Sequence, residues 1–247
     1  MTWRVGLLIP SSNSVMEVDL YRNLPHDTSV HTGRMYMVDT TVAGEERMLR
    51  DFTMPAAEAL GTALPHVIVF GCTSAGALYG KDYDRELCER LGESTGAVPI
   101  SVIESVNRAL RETRASRVAV VTPYVDELNT RIRASIEAEG IAVSAMHGMG
   151  ISNNFDIASV TPDQIYDFVQ SRIGPRVPGD ALFLSCTNFN ALSALSLLKM
   201  AYDVPIVTSN LAALQAVRRE IDVLRQHELS QSAGTSVGEQ AKPVGRG

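Results

Sequence analysis

The chain has 247 residues, of which 45% are hydrophobic and 20% charged, so it can bury a substantial core and global disorder is excluded. Its net charge of −6 and its lack of clustered Lys and Arg exclude a nucleic-acid partner, because phosphate binding requires such clusters. No apolar run reaches the roughly 18 residues that span a bilayer, and three cysteines do not indicate a disulfide framework. We therefore expect a cytoplasmic protein without a membrane partner.

Short apolar runs alternate with longer amphipathic segments along the chain. The apolar runs predict strands over 4–9, 67–70, 98–100, 117–121, 181–184 and 204–207. The amphipathic segments predict helices over 53–64, 82–92, 103–112, 125–139, 161–172, 191–200 and 211–225. Short β-branched runs without alternation are typical of parallel strands covered by helices on both faces. The order of elements therefore predicts an α/β fold with mostly parallel sheets.

Several landmarks occur twice in the same order, at separations of 106 to 114 residues. The pairs are Arg4-Val5 with Arg117-Val118, Pro10 with Pro123, Cys72 with Cys186, and Val98-Pro-Ile100 with Val204-Pro-Ile206. This repetition predicts two pseudo-symmetric α/β lobes, 1–113 and 114–207, with the chain returning to the first lobe near 208–228. Residues 229–247 are polar and lack periodicity, so we expect a disordered tail there.

Two cysteines lie where predicted strands end. Cys72 is followed by Thr73-Ser74, and Cys186 is followed by Thr187-Asn188. Ligands of open parallel sheets bind beyond the carboxyl ends of the strands, where helix N-termini favour anions and lower the pKa of a thiol. We expect the two thiols to bracket one small carboxylate substrate. The alternative is that each cysteine packs as a small hydrophobe, as we expect for Cys88 on its helix.

Three loops carry further candidate substrate-binding residues, and the first two lie at the same edge as the cysteines. Ser11 and Asn13 follow the first strand, and Tyr124 follows the equivalent strand of the second lobe. Asn154 lies in a polar loop. Each has a structural alternative: capping of the next helix for the first loop, core packing for Tyr124, and a turn for Asn154.

The sequence contains no motif for a metal site or for a nucleotide cofactor. The five histidines show no ligand spacing with the cysteines, and neither G-x-G-x-x-G nor a Walker sequence occurs. We therefore expect neither a metal nor a cofactor, and cysteine chemistry is the best candidate.

These motifs together resemble the Asp/Glu racemase superfamily, and within it the branch of maleate cis-trans isomerases and arylmalonate decarboxylases. The matching segments are Pro10-Ser-Ser-Asn13 with Glu17, the Cys72 strand end, Thr122-Pro-Tyr124, Asn154 and Ser185-Cys186. The resemblance implies two Rossmann-like lobes with the active site between them, no cofactor, and a homo-oligomer.

The resemblance also implies roles for these residues. Cys72 is the nucleophile that adds to the double bond of a maleate-type dicarboxylate, and Cys186 is its acid/base partner. Asn13, Tyr124 and Asn154 hold the substrate carboxylates. Cis-trans isomerisation through a thiolate adduct is therefore the leading hypothesis for the function.

Some residues depart from the isomerase pattern. Thr73-Ser74 and Thr187-Asn188 stand where maleate isomerases have smaller apolar pairs, and they are similar to the pairs of amino-acid racemases and of the ectoine-utilisation member. Arylmalonate decarboxylases usually keep only the second cysteine, which counts against that activity. A two-cysteine racemase of an amino acid or a hydantoin-type compound stays open, as do the ectoine-utilisation enzyme and a non-catalytic carboxylate-binding protein.

Overall fold

The structure is a computed structural model that describes residues 2–237. Its first lobe is built on a parallel four-stranded sheet with the strand order β2-β1-β3-β4. The strands are β1 (Trp3–Pro10), β2 (Thr28–Met35), β3 (Val67–Phe70) and β4 (Val98–Ser101). The helices are α1 (Met16–Asn23), α2 (Val42–Arg47), α3 (Thr53–Gly61), α4 (Thr73–Ala77), α5 (Lys81–Thr95) and α6 (Val102–Glu112), with a π-helical turn at Met48–Phe52.

The second lobe repeats this arrangement with the strand order β6-β5-β7-β8. Its strands are β5 (Arg117–Thr122), β6 (Ala142–Gly148), β7 (Ala181–Leu184) and β8 (Ile206–Thr208). The helices that follow are α7 (Asp126–Glu137), α8 (Asn154–Ser159), α9 (Pro162–Ile173), α10 (Ala191–Ala201) and α11 (Ser209–Val237). The predicted α/β fold of two pseudo-symmetric parallel lobes is confirmed.

The central strands form because their residues are apolar on both faces. All residues of β3 and β7 are buried, as the short apolar runs predict. The sequence did not predict β2 and β6, which lie at one edge of each sheet and are mostly half-buried, with polar residues among the apolar ones. An edge strand is held by its neighbour's backbone, so its hydrophobic pattern is weak.

The last helix connects the two lobes. It begins directly after β8 of the second lobe, and it packs against α6, α1 and β4 of the first. The helix continues to Val237, so the predicted disordered tail is helical at its start. No proline interrupts the chain between Pro205 and Pro243, and a helix that has begun extends at little further cost. The remainder of that prediction, 238–247, lies outside the described residues.

Within residues 2–237, no helix is long and apolar enough to cross a membrane.

Candidate active site

The register of the two sheets places the candidate cysteines at equivalent positions of the two lobes. In the first lobe the last residue pair between the central strands is Leu8 with Phe70, and Cys72 follows two residues later. In the second lobe the last pair is Val121 with Leu184, and Cys186 follows two residues later. The thiols are close enough that a charge on Cys186 raises the pKa of Cys72.

Cys72 is buried at the start of α4, with 4% of its surface exposed. Its Sγ atom lies 3.9 Å from Ser74 Oγ and accepts a hydrogen bond from the backbone N–H of Ala75. The Ser74 hydroxyl donates a hydrogen bond to Oε1 of Glu45, a fully buried residue of α2. The first thiol is therefore linked through one hydroxyl to a buried carboxyl group.

Cys186 is also buried, but its backbone has a φ of +112°, in a region that favours glycine. Its Sγ atom accepts a hydrogen bond from the backbone N–H of Asn188 at 3.3 Å. The hydroxyl of Tyr124, which is 1% exposed, forms a hydrogen bond with the same thiol. Strain of this kind persists where the surrounding contacts fix the backbone, and it is frequent at functional sites.

The polar side chains around the thiols join the two lobes. Asn13 Nδ2 donates to Thr187 Oγ1 at 3.1 Å, and that hydroxyl donates to the carbonyl of Gly71 at 3.0 Å. Asn188 accepts from the backbone N–H of Ser14 at 3.0 Å and donates to the carbonyl of Asn154. The loop after β1 therefore contacts the strand end of the opposite lobe.

Ser209, the first residue of α11, contributes a further bridge. Its hydroxyl oxygen accepts a hydrogen bond from Thr73 Oγ1 at 2.9 Å and another from the backbone N–H of Cys186 at 3.1 Å. One hydroxyl thus connects the residue after the first cysteine with the second cysteine. The sequence did not single out Ser209, because it is one of many serines and only the fold brings it here.

A roof covers this cleft, which we define as residues 38–42 of the first lobe joined to 152–154 of the second. Thr40 N–H donates to the carbonyl of Ser152 at 2.6 Å, and Asn154 N–H donates to the carbonyl of Val38 at 2.9 Å. Asn154 also accepts from Thr40 Oγ1 at 3.0 Å. The roof leads into α2, whose Glu45 contacts Ser74 beside the first thiol.

Burial controls the ionisation of both thiols. It raises the pKa of Cys72 well above its usual range, and a negative charge on Glu45 raises it further. Burial raises the pKa of Cys186 to about 12, although the Tyr124 hydrogen bond acts in the lowering direction. The backbone N–H groups beside both thiols act in the lowering direction, but desolvation is the larger effect, so the net pKa of each thiol is raised and not lowered as predicted.

Glu45 is the site residue that the sequence did not reveal. Burial raises its pKa to about 8, the hydrogen bond from Ser74 acts in the lowering direction, and Glu127 acts in the raising direction. Its sequence context, Gly44-Glu45-Glu46-Arg47, is typical of a solvated helix surface. Nothing in this local sequence therefore predicts that the carboxyl group of Glu45 is buried.

The remaining predicted site residues occupy supporting positions. Ser11 Oγ accepts from Met37 N–H at 3.1 Å, and thus holds the segment after β2 rather than contacting a thiol. Asn13 Oδ1 accepts from the N–H groups of Val15 and Met16, so it caps α1 as well as reaching the second lobe. Asn154 Nδ2 donates to Ser12 Oγ at 2.8 Å. Asn13 therefore does both: it accepts hydrogen bonds at the start of α1, and it lies in the cleft between the lobes.

Cys88 lies on α5, apart from this cluster, as its helical pattern predicts. Burial raises the pKa of its thiol to about 12. Among residues 2–237, no group of three or more His, Cys, Asp or Glu side chains is arranged to hold a metal ion.

The fold and the cleft define a class: a two-lobed α/β protein with paired buried thiols at equivalent strand ends. A family model described as arylmalonate decarboxylase matches residues 5–235. The chain belongs to that family, and its resemblance to the Asp/Glu racemase superfamily is confirmed.

Known relatives of the chain include maleate isomerases. The maleate isomerase of Alcaligenes faecalis is 28% identical over 223 residues, which cover 84% of this chain and 87% of that one. The crystal structure of a cysteine-to-alanine variant of the Pseudomonas putida S16 maleate isomerase with maleate has a TM-score of 0.83 at 26% identity, covering 90% and 93% of the two chains. A cysteine-to-serine variant of the Nocardia farcinica maleate cis-trans isomerase, with a covalently bound succinylcysteine intermediate, shares the fold with a TM-score of 0.81 at 24% identity, covering 90% and 94%.

Proposed function

We propose that this protein is a cofactor-independent isomerase that converts a small cis-dicarboxylate of the maleate type into its trans isomer through a cysteine adduct. The observation that carries the proposal is the pair of buried thiols, Cys72 and Cys186, at equivalent strand ends of the two lobes. The maleate isomerases among its relatives, one of them crystallised with maleate, support the substrate class.

The reaction begins at Cys72. Its thiolate attacks one carbon of the double bond, a C–S bond forms, and the π electrons move toward the opposite carboxylate. Because the former double bond is now single, the barrier to rotation disappears. A soft thiolate suits this conjugate addition, and the covalent adduct divides one difficult step into two easier ones.

Cys186 donates and later removes the proton on the opposite carbon. Its thiol protonates the carbanion to give a succinyl-cysteine, and after rotation the thiolate removes a proton from the same carbon. The electron pair then re-forms the double bond, the C–S bond breaks, and Cys72 is regenerated. The hydrogen bonds from Tyr124 and from the N–H of Asn188 stabilise the Cys186 thiolate during this cycle.

The neutral polar groups of the cleft hold the two carboxylates. Asn13, Tyr124 and Asn154 provide amide and hydroxyl donors from three different loops. The thiols are surrounded by four further polar residues, Thr73, Ser74, Thr187 and Asn188. Ser11 supports the loop that carries Asn13. Enclosure under the roof excludes water from the adduct.

The test is incubation of the reduced protein with maleate, with fumarate followed by proton NMR and the protein followed by intact-mass spectrometry. We expect fumarate, together with a transient mass gain of one maleic acid on Cys72. Cys88→Ser serves as the matched control, because that thiol lies outside the cleft and its loss should leave both signals unchanged. Absence of fumarate would contradict the proposal.

A two-cysteine racemase is the second candidate, and the hydroxyl and amide residues after each cysteine favour it. Racemisation exchanges a Cα proton between two bases without an adduct, so deuterium incorporation from heavy water into a chiral amino acid or hydantoin distinguishes it. The homo-oligomer and the cytoplasmic location stay predictions.

A further inference from the structure

Glu45 has an unusual environment for an acidic side chain. It is fully buried, and its Oε1 atom accepts the hydrogen bond from Ser74. Its Oε2 atom is also buried and has no hydrogen-bond partner among the described residues. An ionised carboxylate in such a place loses its hydration without compensation, whereas a protonated one does not. The geometry therefore favours the neutral acid.

The Ser74 hydroxyl links Glu45 to the reacting sulfur. Ser74 Oγ lies between the Glu45 carboxyl and Cys72 Sγ, 3.9 Å from the sulfur. A hydroxyl donates one hydrogen bond at a time. If Glu45 is ionised, the Ser74 proton points to the carboxylate. If Glu45 is protonated, it can donate to Ser74 Oγ, and the Ser74 proton is free to point to the sulfur or to a substrate carboxylate.

The charges around Glu45 also favour its neutral form. Glu127 of α7, whose carboxylate accepts from the N–H of Val42, opposes its ionisation. The other titratable groups of the cleft, Cys72, Cys186 and Tyr124, are all neutral when protonated, and each has a raised pKa.

The guanidinium of Arg34 donates to the carbonyls of Ser11 and Asn13, but it is already paired with Glu17 at 2.6 Å. On the same helix as Glu45, Glu46 accepts a hydrogen bond from the Tyr79 hydroxyl, and Arg47 lies over the rings of Tyr36 and Phe52. When a dicarboxylate binds beside the Cys72 thiolate, an ionised Glu45 would thus add a further negative charge to the cleft.

We propose that Glu45 is a positioning residue that works as a neutral carboxylic acid, directing the Ser74 hydroxyl toward Cys72 and the substrate. This inference rests on the proposed function for its substrate. In the neutral state Ser74 stabilises the thiolate and the entering carboxylate. In the ionised state Ser74 turns away, and the carboxylate repels both anions.

The experiment is a comparison of kcat/KM for maleate across pH 6 to 9.5 in the wild type and in Glu45→Gln. The amide of Gln can donate to Ser74 as the neutral acid does, but it cannot ionise. The free-enzyme pKa of Glu45, about 8, governs the wild-type profile. We expect the wild-type rate to rise with pH and level off near pH 8, because Glu45 ionisation then opposes further thiolate formation.

For Glu45→Gln we expect wild-type rates below pH 7 and a rise that continues to pH 9. One pH unit above its pKa only about a tenth of an acid is neutral, so the variant should exceed the wild type about tenfold at pH 9. Glu46→Gln, the same change at the next residue of α2, is the matched control and should keep the wild-type profile.

Glu45→Met separates orientation from charge. It is neutral but cannot donate to Ser74, so we expect its kcat/KM to lie about 10²-fold below that of Glu45→Gln at every pH, without the levelling near pH 8. Circular dichroism and thermal unfolding establish that each variant is folded.

Alkylation of Cys72 by iodoacetamide, followed by peptide mass spectrometry, reports the same linkage without maleate. Its rate should level off near pH 8 in the wild type and continue to rise in Glu45→Gln. If this difference is present but no fumarate forms, the role of Glu45 stands and the proposed substrate fails. If the alkylation and kinetic profiles of Glu45→Gln and the wild type have the same shape, Glu45 is a structural residue and the proposal is overturned.

Discussion

The two strand ends of this protein differ more than the two lobes that carry them. Cys72 has an extended backbone with a φ of −139° and leads directly into α4. Cys186 has a φ of +112° and is followed by a turn, because α10 begins only at Ala191. The first thiol faces a serine and a buried acid, whereas the second faces a phenol and backbone N–H groups.

The repeated sheets determine where the two thiols lie, whereas the segments around them determine the chemical environment of each thiol. Matching sheet registers place the two cysteines at equivalent positions of the two lobes, as the proposed attack on one substrate from two sides requires. The groups that surround each sulfur differ between the lobes: Glu45 of α2 lies near the first thiol, and Tyr124 lies near the second. A symmetric fold thus provides two chemically unequal thiols, as the proposed addition and proton transfer require.

Serine replacements at the two thiols test this inequality with the largest expected effect. Cys72→Ser should lower isomerase activity by at least about 10³-fold and abolish the adduct, because it removes the nucleophile. Cys186→Ser should also slow turnover, yet the adduct on Cys72 should form and accumulate. Stopped reactions analysed by intact-mass spectrometry distinguish the two. Equal adduct levels in both variants would mean that the roles are not divided as proposed.

The buried acid beside the first thiol should make the protein less stable at high pH. The unfolded chain releases the Glu45 proton near 4.5, and the folded chain releases it near 8, so stability falls as pH rises through this window. Glu45→Gln removes this loss and should be more stable than the wild type by about 3 kcal/mol at pH 7. Urea unfolding at pH 4.5 and pH 7 measures the difference. A gain of the same size at both pH values would contradict the assignment.

The phenol beside the second thiol should matter for the proton-transfer step. Tyr124→Phe removes one donor to Cys186 while keeping the buried ring, so we expect kcat to fall about 10²-fold. Because Tyr124 acts on the second thiol, the variant should still form the adduct on Cys72. Rapid-quench kinetics with maleate separates the two steps. Tyr83→Phe, a half-buried phenol of α5, is the control.

The two backbone conformations predict opposite effects of glycine. At position 186 glycine removes the strain of a positive φ, so Cys186→Gly should be more stable than Cys186→Ala by about 1 kcal/mol. At position 72, where the backbone is extended, Cys72→Gly should be less stable than Cys72→Ala by about 0.5–1 kcal/mol. Chemical denaturation of the four variants gives both differences. The same sign at both positions would show that the strain is not real.

Much of the fold follows from the sequence because its central strands are short apolar runs. Burial on both faces leaves the clear signal that predicts β1, β3, β5 and β7. The edge strands β2 and β6 contact one neighbour each and mix polar with apolar residues, so propensity alone does not identify them.

The candidate site likewise contains residues that the sequence predicts and residues that it does not. Cys72, Cys186 and Tyr124 lie at strand ends, and parallel topology brings strand ends together, so their grouping is predictable. Glu45 and Ser209 enter the cleft from α2 and α11, whose positions are determined by tertiary packing. Nothing in the local sequence around Glu45 indicates that the fold removes this carboxyl group from water.

The roof is held by a few backbone bonds between two loops, whereas the sheets are held by continuous ladders. Local fluctuations can therefore break the roof without disturbing the core, since such openings have lower free energies than global unfolding. In hydrogen exchange, the amides of Thr40 and Asn154 should exchange while those of β1 and β5 stay protected. We therefore expect access to the buried thiols to be a local equilibrium of the chain, with its own rate and its own dependence on solvent.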